Sequence, residues 1–106
     1  MKLNILGTEY DFSEATVKED VSLHDNNGYC DSYKKQMAVK REYVENVPDC
    51  VKDMNNFKRI TKRHEIIHAF LFESGMREWA EDEELVDWIA LQFPKMLETF
   101  KQIEAI

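Results

Sequence analysis

The sequence predicts an α+β fold in a single domain spanning residues 1–106. Strand patterning fills the first forty or so residues, helical periodicity fills the rest, and no linker or repeat divides them. At 106 residues the chain can bury one core and is too short for two. The expected arrangement is a small N-terminal sheet, of antiparallel type, packed on a central helix and one or two C-terminal helices.

Leu3, Ile5 and Leu6 precede Gly7-Thr8, and Tyr10 and Phe12 follow, which predicts a short hairpin turning at Gly7. Asp25-Asn26-Asn27-Gly28 is the strongest turn signal, because Asn and Gly tolerate positive φ. It separates a strand expected around Val17–His24 from one or two strands across Tyr29–Arg41, of which Gln36–Lys40 is the best patterned. From Asp49 the period changes. Phe57, Ile60, His64, Ile67, His68 and Leu71 fall on one helical face, and Ile66, Ala69, Phe70 and Phe72 make the last two turns apolar nearly all round. Such a helix passes into the middle of the molecule, and Gly75 suits its C-terminal stop. Met76–Ala80 comes next. Acidic residues at Glu81–Glu84 then open a helix carrying Leu85, Val86, Trp88, Ile89, Leu91 and Phe93. Pro94 either kinks that helix or starts a final one through Met96, Leu97, Phe100 and Ile103.

Composition narrows the function classes. The chain is 43% hydrophobic and 33% charged, with a net charge of −7, so it is globular in composition and repels phosphate backbones. Lys58, Arg59, Lys62 and Arg63 form a basic run at the start of the central helix, read as its wet side. No nucleic-acid partner is expected. Met1 to Phe12 lacks a continuous apolar core, so no signal peptide is expected, and no run is long enough for a transmembrane helix. Cys30 and Cys50 form neither a disulfide framework nor a metal knuckle, which points to free thiols in the cytoplasm.

The most informative stretch is His64-Glu65-Ile66-Ile67-His68. A helix advances ~100° per residue, so His64 and His68 lie on one face, one turn apart. Two imidazoles so placed can converge on one Zn²⁺, while Glu65 stands one step round, free to act as a base. A catalytic zinc needs a third ligand. The H-E-x-x-H-x-x-G-x-x-H extension would need Gly at Leu71 and His at Ser74, so it is excluded. A carboxylate from the next helix is the other solution, and Glu81, Asp82, Glu83 and Glu84 are all available. His24 offers a further imidazole upstream.

Here the chain resembles the gluzincins, the thermolysin-like metallopeptidases. Their second metal-binding helix carries Asn-Glu-x-x-x-Asp, and Asp82-Glu83-Glu84-Leu85-Val86-Asp87 is similar, with Asp82 in the Asn place. The resemblance covers about 59–90. It implies that Glu83 is the third zinc ligand, with Glu84 one residue of register away. It also implies that Asp87 accepts a hydrogen bond from the first histidine of the motif. The short length is similar to that of compact ImmA/IrrE-type peptidases, many of them encoded by phages and mobile elements, which implies a phage or bacterial origin and the host cytoplasm.

The expectation is therefore a zinc-dependent metallopeptidase with one Zn²⁺ held by His64, His68 and Glu83. Glu65 is the general base for a metal-activated water, and a protein or peptide is the substrate. At this size a shallow cleft is expected. His24, Tyr29, Tyr33 and Arg77 are available in type as an oxyanion donor, and spacing selects none. Gln36–Lys40 is read first as an ordinary strand, with a sheet edge that lines up an extended peptide as the alternative. The alternative on the same scaffold is a non-catalytic zinc-binding interaction or regulatory module.

Overall fold

The computed structural model describes residues 1–42 and 53–106. Cys50 and the change of period expected at Asp49 lie outside the described residues. Strands β1 (Lys2–Ile5) and β2 (Thr8–Ala15) form the N-terminal hairpin. Leu6 and Gly7 turn it with φ of 52° and 91°, the doubly left-handed turn that matches strand twist.

The stretch Val17–His24 is not the expected strand. It carries a single 3₁₀ turn at Val21–Leu23. Thr16 and Glu19 exchange side-chain-to-backbone bonds of 3.1 and 3.3 Å, and Asp20 Oδ1 accepts from the Ser22 N–H at 3.1 Å. Such local bonds offer the backbone an alternative to a ladder. Leu23 is driven inside, where it packs with Ala15, Ala38 and half-buried Tyr29.

Strands β3 (Gly28–Asp31) and β4 (Gln36–Lys40) form a second hairpin, and the sheet order is β1-β2-β4-β3. Two pairings are antiparallel, but β2 and β4 run parallel, so the sheet is mixed. The chain leaves β2, lays β3 at the far edge and returns β4 into the gap. Gln36–Lys40 is therefore an interior strand, and β3 is the edge on that side, with β1 at the other. Met37, Ala38 and Val39 are all buried, as a strand covered on both faces requires.

Helix α1 (Met54–Glu73) starts at Asp53, whose side chain accepts from the Asn56 N–H at 2.9 Å. It stops as expected at Gly75, φ 75°. The Gly75 N–H reaches Phe72 O and the Met76 N–H reaches Leu71 O, both at 3.0 Å, which satisfies the last carbonyls. Its most buried line is Thr61, Glu65 and Ala69; the expected apolar face is only half-buried and Phe70 is exposed. Thr61 and Ala69 are small where the helix lies close to the sheet, and Ala69 and Ile66 pack on Ile5, Tyr10, Met37 and Cys30. Glu73 ties the C-terminal end of α1 to the sheet, accepting from Thr8 Oγ1 (3.1 Å), Tyr10 OH (2.7 Å) and Lys35 Nζ (2.5 Å). Lys35 first, then Tyr10, holds that carboxyl below the usual range. At the other end, Lys58 and Lys62 of the basic run both bridge Glu14 on β2 at 2.7 Å.

A short helix α2 (Arg77–Ala80) leads to α3 (Glu83–Gln102), capped by Asp82 through the Leu85 N–H at 3.1 Å. Pro94 does not start a final helix, because α3 runs on through it to Gln102. Proline cannot donate to the carbonyl four residues back, and Arg63 Nε takes that place, donating to Ala90 O at 2.6 Å. Arg63→Ala should therefore cost roughly 1–3 kcal/mol, the penalty of a carbonyl stripped of its partner. Thermal denaturation measures it, and an unchanged midpoint would refute this role for Arg63. No helix among the described residues is long and apolar enough to cross a membrane.

Candidate metal centre

Helices α1 and α3 pass with opposite sense, so that His68 and His64 of α1 meet Glu83 and Asp87 in the first turns of α3. Glu83 Oε2 lies 2.9 Å from His64 Nε2, and Glu83 Oε1 lies 3.0 Å from His68 Nε2. The two Nε2 atoms are 3.0 Å apart. Asp82 as the cap places Glu83 at the first residue of the helix, where its 65%-exposed side chain still spans both rings.

The far side of each ring defines its proton. His68 Nδ1 is 2.5 Å from Ala80 O, which can only accept, so Nδ1 carries the hydrogen. Asp87 Oδ1, 2.7 Å from His64 Nδ1, does the same for the other ring. In the neutral rings both Nε2 lone pairs then face each other and the Glu83 carboxylate. Acceptors that converge without a donor repel, and a cation among them turns repulsion into ligation. Two imidazoles and a carboxylate are a known donor set for catalytic zinc, and bonds of ~2.0–2.1 Å give a tetrahedral edge of roughly 3.3 Å. The separations found here lie within a few tenths of an ångström of that edge, so the residues fit the ion.

Glu65 stands apart from this set. It is 5% exposed, its carboxylate opens to the cleft, and among the described residues it makes no hydrogen bond or ion pair. Burial, and then the nearby charges of Glu83 and Asp87, push its pKa up to about 8. Gly28 of β3 makes room for it. A Cβ there would sit 3.0 Å from Glu65 Oε2 and 3.1 Å from both Ala38 O and Thr61 Cγ2. The Cys30 thiol is free, and burial followed by Glu65 pushes its pKa up to about 12.

These groups line one cleft of about 980 Å³, with β3 and its preceding loop on one side and the α2–α3 junction on the other. Of the residues considered in the sequence, His64, His68, Glu83, Asp87 and Glu65 come together here. Glu84 is exposed and outside the cluster. His24 lies elsewhere, exposed and 3.1 Å from Asp25 Oδ1. Tyr29 turns its hydroxyl to Asp20 Oδ2 at 2.6 Å on the other face of the sheet. The Tyr33 hydroxyl accepts from Arg77 Nη2 at 2.6 Å, and Tyr33 lines the cleft. Two contributors went unread in the sequence. The Ala80 carbonyl is backbone and leaves no residue signal. Gly28 was legible only as part of a turn, whereas its further task is close approach to Glu65. No family model, curated protein or solved structure matches this chain.

Proposed function

We propose that this chain is a zinc-dependent metallopeptidase, with His64, His68 and Glu83 as ligands and Glu65 as general base. The observation that carries the reading is the Glu65 carboxylate, buried and without a partner beside a three-ligand set. A purely structural zinc closes its fourth position with protein and has no use for such a group. Zinc bound here would supply Lewis acidity towards a peptide carbonyl and acidify a water molecule. Glu65 takes the proton from that water through a carboxylate oxygen and returns it to the departing amine nitrogen. Asp87 and the Ala80 carbonyl hold the two imidazoles in the ligating tautomer.

The sheet edge supplies a way to hold the substrate. Lys35 O and the Arg41 N–H bond to β2, whereas the Lys40 N–H bonds to Asn27 O. Alternation along β4 then turns Asn27, Tyr29 and Asp31 towards β4, and the N–H and C=O of Gly28 and Cys30 outward. Among the described residues no strand pairs with that outer edge. An extended peptide adding there runs past Glu65 and the ligand set. We place the chain in a reducing cytoplasm, where the free Cys30 thiol persists.

The test is hydrolysis of an unstructured peptide library by the purified chain, with zinc content measured alongside. About one zinc per chain is expected, with cleavage that stops on chelation and returns when zinc is restored. A zinc-loaded chain that cleaves nothing in the library would overturn the enzyme reading and leave a binding module.

A further inference from the structure

The charge around the cleft goes beyond what a metal site uses. Asp25, Asp31 and Glu81 line it in addition to Glu65, Glu83 and Asp87, and among the described residues no Lys or Arg lines it. Lys58 and Lys62 bridge Glu14 and Arg63 holds Ala90 O, while Arg77 stands at the rim, donating to Tyr33 with its guanidinium 5.1 Å from the Phe72 ring centre, where it offsets part of the surplus. Glu83 and Asp87 are occupied by the imidazoles, so a dication among the ligands offsets them and leaves the surplus charge in place. Asp25 and Glu81 are exposed, and Asp31 keeps one carboxylate oxygen beyond the turn bonds it accepts from the Tyr33 and Lys34 N–H groups. A cleft lined by one sign of charge focuses field and draws the opposite sign. The outward groups of Gly28 and Cys30 select extended backbone, and the unpartnered, buried Glu65 side chain faces the same space.

We propose that the cleft takes extended, Lys- and Arg-rich polypeptide segments, an inference that rests on the peptidase reading for the site and adds the class of substrate. The test compares two unstructured peptides of equal length, one rich in Lys and Arg and one rich in Glu, on the full zinc-loaded chain. Binding is read by fluorescence anisotropy at low and high salt, and cleavage by mass spectrometry. The basic peptide should bind at least about tenfold more tightly at low salt, with the gap closing as salt screens it. Asp25→Lys with Glu81→Lys should close most of the gap with zinc content unchanged. Glu98→Lys with Glu104→Lys, an equal change of charge on the far part of the chain, should leave it open. Equal binding of the two peptides, or the same response from both double variants, overturns the proposal. Cleavage separates the two readings: a basic peptide bound tightly but left intact counts against hydrolysis alone, and cleavage blind to charge counts against this inference alone.

Discussion

Glu65→Gln should keep its zinc and lose hydrolysis by about 10²–10⁴-fold, the usual contribution of a positioned general base. Glutamine matches glutamate in shape, and Glu65 lies outside the three atoms that converge on one another. Metal content should therefore stay at the wild-type level. Folding should not suffer either. The carboxyl in the folded, metal-free chain has its pKa raised from 4.5 to about 8 by burial first. A folded value above the unfolded one means that the native state binds the extra proton, so chelated wild type loses stability as pH rises from about 4.5 towards about 8. The variant lacks that slope and should be the more stable chain at pH 8. Parallel assays of zinc content, peptide cleavage and pH-dependent melting separate these effects. Undiminished hydrolysis by Glu65→Gln would remove Glu65 from the chemistry, and loss of zinc would make it a ligand.

What was legible in the sequence follows the range of the physics involved. The placing of His64 and His68 on one helical face is a local consequence of helix pitch, and the Gly75 stop is equally local, whereas the Asp53 and Asp82 caps emerged only with the structure. The α+β division was legible because the two hydrophobic periods differ. Strand partnership was not. Whether Gln36–Lys40 lies inside or at the edge depends on β2 pairing parallel to it across the intervening chain, and no pattern within those five residues encodes that. Val17–His24 has strand-like composition, yet Thr16, Glu19 and Asp20 satisfy the backbone locally. Pro94 reads as a kink or a fresh start until Arg63, from another helix, is found on Ala90 O. In the site, side chains left a trace and backbone did not: Asp87 is visible as a carboxylate one turn past Glu83, whereas the Ala80 carbonyl is not.

Zinc should raise the melting temperature by roughly 10–30 °C over the chelated chain. A ligand at 100 to 1,000 times its dissociation constant stabilises a fold by about 2.7–4.1 kcal/mol, and each kcal/mol moves a domain of this size by about 4–8 °C. The physical source is the convergence of His64 Nε2, His68 Nε2 and Glu83, three acceptors that repel one another until a cation lies among them. A graded series of variants follows from the geometry. His64→Ala and Glu83→Gln each remove a converging atom and should abolish the zinc-dependent rise. Asp87→Asn keeps the ligands but weakens the acceptor on His64 Nδ1, so affinity should fall about 10–100-fold, as is usual for such partners of a ligating histidine. Glu84→Gln should behave as wild type, because that side chain lies outside the cluster. Calorimetry with and without chelator reads the whole series. A melting temperature indifferent to zinc would dispose of the metal centre, whereas equal damage from Glu84→Gln and Glu83→Gln would leave the centre in place and shift its third ligand by one residue.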